Sequence, residues 1–317
     1  MTIPLGQSVQ DKARGAYLGL AIGDALGATV EFMTPNEIKA AYTVHKDIIG
    51  GGWLNLKPGE VTDDTEMSLA LGLALLTVQQ VDAVAIAEAF SQWMRSKPID
   101  IGNTVRRGIV YYRNHGETSV PKSEFNAGNG ACMRTLPIAL ATMGHDHNAV
   151  IAASRLQSHI THHCDFSDAG TEHIVHLLQM ALNGYGRHEL EKLSLEFVEH
   201  NPKYYYDTKE IYNPSGFIAE TLQAVLQCFY STDSFESCLI KVVNRGGDAD
   251  TTGAIAGMLA GACYGVKSIP KRWLKKLDQN IADMCTTQAE DLLLLAPISI
   301  VSVKKIIPAS HEQVQRL

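Results

Sequence analysis

The stretches GAYLGLAIGDALG (residues 15–27) and GAIAGMLAGACYG (residues 253–265) decide how this chain folds. Gly15, Gly19, Gly23 and Gly27 recur every fourth residue in the first, and Gly253, Gly257, Gly261 and Gly265 do so in the second. A fourth-residue repeat drifts slowly around a helix, so each set predicts a bare ridge along one face. Each glycine inside a helix costs roughly 0.8–1.0 kcal/mol relative to alanine. Close packing of one ridge on the other, crossing in the manner of fourth-residue ridges, would offset that cost; the alternative is two unrelated helices in tight cores. The pairing matters for chemistry because each stretch carries acids at one end. Asp24 and Glu31 lie at the end of the first, and Asp248 and Asp250 lie ahead of the second.

Outward from these ridges the chain reads as helical. Residues 65–76 and 81–94 have the apolar spacing of buried or half-buried helices, and 133–143, 171–183, 216–229 and 234–243 follow the same pattern. No stretch alternates β-branched and polar residues with period two, which disfavours a sheet. With no linker-like shift in composition, residues 1–317 read as a single compact all-α domain. The segments 46–60, 97–104 and 121–130 are rich in Pro, Gly and Asn and read as long connections, which in compact domains are often functional.

Composition narrows the classes of function. Hydrophobic residues make up 45% of the 317 and charged residues 19%, enough to bury a sizeable core. A formal charge of −7 and the lack of a basic stripe argue against a nucleic-acid partner. The six cysteines form no CxxC pair and sit among apolar neighbours, as buried hydrophobes do. The N-terminus lacks a signal-peptide pattern and the longest apolar run, 254–266, is too short to span a bilayer. Together these features predict a cytoplasmic protein without a transmembrane segment.

Two acidic clusters each stand at a helix start. The first is Thr62-Asp63-Asp64-Thr65-Glu66, where Thr62 or Asp63 would make a good N-cap and Asp63 with Glu66 resembles a capping box. The second is Gly246-Gly247-Asp248-Ala249-Asp250-Thr251-Thr252, in which the paired glycines permit a tight turn that aims several oxygens at one point. Capping needs one oxygen or two, and here Asp, Asp and Thr occur twice. Carboxylates gathered in one place repel unless protons or cations intervene. All the donors are oxygens and the histidines lack metal-binding spacing, so a hard cation such as Mg²⁺, Mn²⁺ or Ca²⁺ suits them better than zinc. Two such clusters have room for two ions roughly 3.5–4 Å apart.

The ordered set of motifs resembles the ADP-ribosylglycohydrolase family. It runs from Arg14-Gly15-Ala16-Tyr17-Leu18-Gly19 through Gly23-Asp24-Ala25-Leu26-Gly27, Glu31 and Thr62-Asp63-Asp64-Thr65. It continues with Gly128-Asn129-Gly130-Ala131-Cys132-Met133-Arg134, Thr161-His162 and Asn244 to Thr251. Segments such as Gly50-Gly51-Gly52-Trp53-Leu54 and 255–261 are similar to the subgroup that acts on dinitrogenase reductase, the nitrogenase iron protein.

The resemblance implies a compact orthogonal multi-helix bundle and hydrolysis of the N-glycosidic bond between ADP-ribose and a protein arginine. It implies two divalent ions, Mn²⁺ or Mg²⁺, held by Thr62, Asp63, Asp64, Asp248, Asp250 and Thr251. Glu31 matches a family acid at the metal or substrate edge. ADP-ribosylated dinitrogenase reductase would be the substrate. A monomer, a PII-type nitrogen-signalling partner and peripheral membrane association through that partner are further expectations. The alternatives are another acceptor such as serine, or a non-catalytic ADP-ribose-binding protein.

The reaction needs an acid, because a departing guanidine is a strong base. Asp100, Glu31 and a metal-bound water are the candidate acids, with Asp64 joining Asp100 and Glu31 among the expected catalytic residues; Asp100 lies in the loop-like stretch Lys97 to Asn103, where a turn or helix cap is the competing role. Gly128, Asn129 and Gly130 precede a helical run and can offer backbone N–H groups to a pyrophosphate, with an ordinary glycine turn as the competing role. His162 and Asn103 complete the expected substrate contacts. Arg134 is expected to pair with a carboxylate or a phosphate.

Overall fold

In the computed structural model of the chain, residues 9–207 and 209–296 are described. They form α1 (Val9–Gly27), α2 (Pro35–Tyr42), α3 (Asp63–Val78), α4 (Ala83–Arg95), α5 (Asn103–His115), α6 (Gly130–Met133), α7 (Leu136–Ala141) and α8 (His147–Ser158). The second half carries α9 (Asp165–Leu182), α10 (Arg187–His200), α11 (Ile218–Tyr230), α12 (Phe235–Val243), α13 (Ala249–Tyr264), α14 (Lys271–Leu274) and α15 (Gln279–Leu295). Among the described residues there is no strand, only two isolated bridges, Gly51 with Leu56 and Gly128 with Phe217. The fold is all-α.

The helix expected over 133–143 is broken. α6 ends at Met133 and α7 restarts at Leu136, with Pro137 in its first turn. Proline has no N–H and is tolerated only there, so one continuous helix through Pro137 would lose a hydrogen bond and clash with the preceding turn.

The two glycine ridges pack on each other, and they decide the centre of the fold. A Cβ on Gly15 would lie 2.6 Å from the Gly261 carbonyl oxygen, one on Gly19 2.2 Å from Gly257 O, and one on Gly23 1.9 Å from Gly253 O. No residue larger than glycine fits at these separations. Gly27 meets Ala249 O, so the fourth partner is Ala249; Gly265 instead ends α13 with φ 76°. The contacts run from Gly15 to Gly27, roughly 18 Å along the axis at 1.5 Å per residue. A fourth-residue ridge crossing of about 50° would part the axes sooner, so α1 and α13 lie closer to antiparallel than the ridge rule suggests.

Every residue of α13 from Ala249 to Ala262 is buried, and so is α1 from Gly15 to Gly27. A helix apolar all round belongs in a core, and the apolar side chains of α3, α7, α9, α11, α12 and α15 join this pair in one cluster. The cysteines are free thiols, mostly buried. Among the described residues no helix is long and apolar enough to cross a membrane.

Candidate active site

The antiparallel ridge contact brings the C-terminal end of α1 to the N-terminal end of α13, so Asp24 and Glu31 meet Asp248 and Asp250. α3 enters at the same place. The Asp24 carboxylate accepts hydrogen bonds from the Thr62 amide (3.1 Å) and hydroxyl (2.9 Å) and from the Thr65 amide (3.1 Å) and hydroxyl (2.5 Å). An acid on α1 thereby caps α3 from a distance. The local caps expected from sequence are displaced: neither Thr62 nor Asp248 makes a side-chain cap bond, and Glu66 accepts from Trp93 Nε1 at 2.7 Å instead of closing a capping box.

The second cluster is aimed by its glycines. Gly246 and Gly247 have φ of 71° and 67°, in the left-handed region that favours glycine. Their turn is laced to the chain after α1 by Phe32 N–H to Gly247 O (2.7 Å) and Gly247 N–H to Met33 O (3.0 Å). Thr62 Oγ1 lies 3.4 Å from both Asp64 Oδ2 and Asp250 Oδ2, and Thr251 Oγ1 lies 3.3 Å from Asp64 Oδ2. Thr62, Asp63, Asp64, Asp248, Asp250 and Thr251 are thus drawn together from two helix starts.

Each long connection also reaches this centre. From 46–60, Trp53 Nε1 donates to Glu31 Oε2 at 2.7 Å. From 97–104, the Gly102 amide donates to Asp63 Oδ2 at 3.3 Å. From 121–130, Asn129 Nδ2 donates to Asp248 Oδ2 at 2.6 Å and to Thr221 Oγ1 at 2.9 Å. Asp100 does not cap α5, whose N-cap is Gly102; its carboxylate accepts from the next amide, Ile101, at 2.7 Å. One ligand oxygen each of Glu31, Asp100 and Asp250 lie within 4.8 Å of one another.

Burial raises the carboxyl pKa values of Asp24, Glu31, Asp63, Asp64, Asp248 and Asp250. Asp63 is pushed up to about 8 by burial and then by the charge of Asp100, and Glu31 to about 8 chiefly by burial. Asp24 rises only to about 6, because the bonds from Thr62 and Thr65 partly offset its burial. Burial drives Asp64 and Asp250 well above the carboxylate range. Among the described residues no Lys, Arg or His forms an ion pair with any of these acids. Asp64 Oδ1 is buried with no hydrogen-bond donor. A buried, unpartnered carboxylate oxygen amid other carboxylates and hydroxyls fits a divalent cation, which would supply the missing charge. The acidic cluster is a site that could hold metal.

Other expected residues fall into different roles. His162 is buried, its Nδ1 is 2.7 Å from Thr161 Oγ1, and burial followed by the charge of Arg134 holds its pKa well below the usual range. Its ring lies against the glycine loop, where a Cβ on Gly130 would sit 2.7 Å from Cε1 and one on Gly128 2.9 Å from Nε2. His162 therefore shapes that loop. The Asn129 amide is taken by Gly216 O at 3.0 Å, and α6 behind it is a single turn, so the expected helix-backed phosphate cradle is much reduced. Asn103 is exposed at the start of α5. Among the described residues Arg134 forms no ion pair with a carboxylate. Its buried guanidinium donates to Gln157 Oε1, Gln157 O and Thr161 Oγ1 and lies over the Phe90 ring, with burial lowering its pKa to about 9.

Sequence reasoning missed Asp24 as the clamp on α3 and Trp53 as the partner of Glu31. The one charged residue in the otherwise uncharged run 15–27 was the available signal for Asp24. Trp53 stands in the motif 50–54 that carries the resemblance, but nothing in that motif pointed to Glu31.

Comparison with known proteins identifies the family and the fold. The ADP-ribosylglycohydrolase family model matches residues 5–299. The chain is 48% identical to the ADP-ribosyl-[dinitrogen reductase] glycohydrolase of Rhodospirillum rubrum, over 92% of this chain and 98% of that protein. It is 33% identical to the ADP-ribosylarginine hydrolase Tri1 of Serratia proteamaculans, over 93% of this chain and 82% of that one. A solved structure described as an ADP-ribosylglycohydrolase-related protein complex superposes with a TM-score of 0.81 at 33% identity, covering 91% of this chain and 99% of its own.

Proposed function

The chain belongs to the ADP-ribosylglycohydrolase family and hydrolyses glycosidic bonds, and we propose that its substrate is ADP-ribose joined to an arginine of dinitrogenase reductase. The observation that carries the site assignment is Asp64 Oδ1, a buried carboxylate oxygen with no donor at the point where α1, α3 and α13 converge. In this reading Thr62, Asp63, Asp64, Asp248, Asp250 and Thr251 hold two divalent ions, Mn²⁺ or Mg²⁺, matched to an all-oxygen donor set. When bound, the ions supply positive charge that orients the terminal ribose and acidifies a water.

The chain's own residues do the rest. Asp24 fixes Thr62 and Thr65, and thereby the start of α3, against α1. Asn129 orients Asp248 through a 2.6 Å hydrogen bond. The transition state of such a hydrolysis resembles an oxocarbenium ion, and nearby carboxylates stabilise developing positive charge. The departing guanidine takes a proton from Asp100 or Glu31, which stand together at the edge of the centre. Gly128, Asn129, Gly130 and Asn103 contact the ADP-ribose, with His162 behind the glycine loop. The same reading places a monomer in the cytoplasm, with a PII-type partner governing peripheral membrane association.

The test is divalent-metal-dependent release of ADP-ribose from modified dinitrogenase reductase, run beside a serine-linked substrate. Release from the arginine linkage alone supports the proposal. Preference for serine moves the acceptor, and binding of ADP-ribose without release from either substrate removes the catalytic reading.

A further inference from the structure

Resting on that reading of function, we propose that Phe32 and Trp53 form the acceptor subsite, a two-ring wall that takes the planar guanidinium of a modified arginine. Phe32 directly follows Glu31 and has φ 62°, a left-handed conformation unfavourable for a bulky residue. The turn that carries Asp248 holds it there, through the Phe32 amide and Gly247 O. The ring so placed is 64% exposed. Trp53 is 52% exposed although its Nε1 is tied to Glu31, whereas Trp93 and Trp273 are buried. The Phe32 and Trp53 ring centroids are 5.5 Å apart with the planes inclined by 47°.

Neither ring gains the burial that usually accounts for a large aromatic side chain, and one of them requires a strained backbone. Beside them stand carboxylates, with oxygens of Glu31, Asp100 and Asp250 grouped within 4.8 Å. Exposed π faces next to carboxylates match a flat, delocalised cation, which stacks on the rings while its N–H groups donate to an acid. A serine acceptor offers neither the plane nor the charge. An adenine would stack but has no charge for Glu31 and Asp100 to meet.

The test compares wild type, Phe32→Gly and Trp53→Leu in the full chain with Mn²⁺ present. Hydrolysis of ADP-ribosylated agmatine is followed for KM and kcat, and free ADP-ribose binding is followed by calorimetry. Phe32→Gly relieves the left-handed backbone, so its Tm should not fall, and a change in KM cannot then be laid to unfolding. Loss of a ring should raise KM roughly three- to thirty-fold, the span of a cation–π contact. Binding of free ADP-ribose, which lacks the acceptor, should be unchanged. Unchanged KM in both variants overturns the subsite while leaving the hydrolase reading intact. Equal weakening of free ADP-ribose would assign the rings to the nucleotide and overturn it too. A wild type that releases nothing from agmatine would remove the arginine reading and this inference together.

Discussion

Asp82, Asp146 and Asp278 begin α4, α8 and α15, and each accepts hydrogen bonds from the first-turn amides of its own helix: Ala85 at 2.8 Å, Ala149 at 3.0 Å, and Asn280 and Ile281 at 2.9 and 3.2 Å. At α3 and α13 the N-cap residues Thr62 and Asp248 make no such bond, and within the first turn of α13 only the adjacent Thr251 amide reaches a carboxylate, Asp250 Oδ1 at 2.8 Å. The residue type and the place in the helix are the same, but the surroundings differ. The capping acids lie at the surface or half-buried, where one amide satisfies an oxygen and water serves the other. At α3, Asp24 reaches across from α1 and takes the capping bonds, so Asp63 and Asp64 are released for another use. At α13, Asp248 is held by Asn129. At α3 the difference is that a distant residue, Asp24, has taken over the local capping duty; at α13 it is that Asn129 holds the N-cap carboxylate away from its own helix.

The sharpest test of that contrast is on the released side. Asp64→Asn or Asp250→Asn should lower hydrolysis by on the order of 10³-fold, through loss of charge that holds metal. The metal-free variants should be no less stable than wild type at pH 8, because each removes a buried and repelled carboxylate; steady-state rates and denaturant melts read the two effects. Next comes the geometry that brings the clusters together. Gly23→Ala places a methyl 1.9 Å from a backbone oxygen and should cost about 3 kcal/mol in urea unfolding while weakening metal binding. A variant of wild-type stability would break the account of the ridges.

The third effect is pH dependence. Glu31 and Asp63 have folded pKa values near 8, above the unfolded value of about 4, so the folded state binds more protons between those limits. Their contribution is present below pH of about 4 and is lost as pH rises toward about 8. Metal-free Tm should therefore fall from pH 6 to pH 8, and Mn²⁺ should reverse the fall; a flat profile would contradict the buried cluster. The smallest effect belongs to the capping side. Asp82→Ala should cost about 1 kcal/mol in stability and leave kcat/KM unchanged.

Much of this was legible in the sequence. The fourth-residue glycines left open a helix pair too close for side chains or two unrelated helices in tight cores, and the packing is the first of these; the doubled Asp-Asp-Thr signal pointed to oxygen-rich helix starts. The long connections were suspected of function, and each sends a donor into the acidic centre. What could not be read was who caps whom. Local pattern favours Thr62 or Asp63 as the cap of α3, and only the packed ridges bring Asp24 within reach. Arg134 was misread for a related reason. Its motif sits beside a glycine loop, yet Gln157 and Thr161 arrive from the α8 region to absorb its donors. The break at residues 134–135 was visible in Pro137, whose missing N–H confines it to a first turn.

The central claim, that the released acids form a cation-dependent hydrolytic centre, is tested most directly by one paired measurement. Wild type and Asp250→Asn are stripped with chelator and titrated with Mn²⁺, while bound metal and ADP-ribose released from modified dinitrogenase reductase are followed in the same samples. The account predicts that release rises with bound metal in the wild type and that the variant does neither. Full release from chelator-treated wild type, or from Asp250→Asn without bound metal, would contradict it.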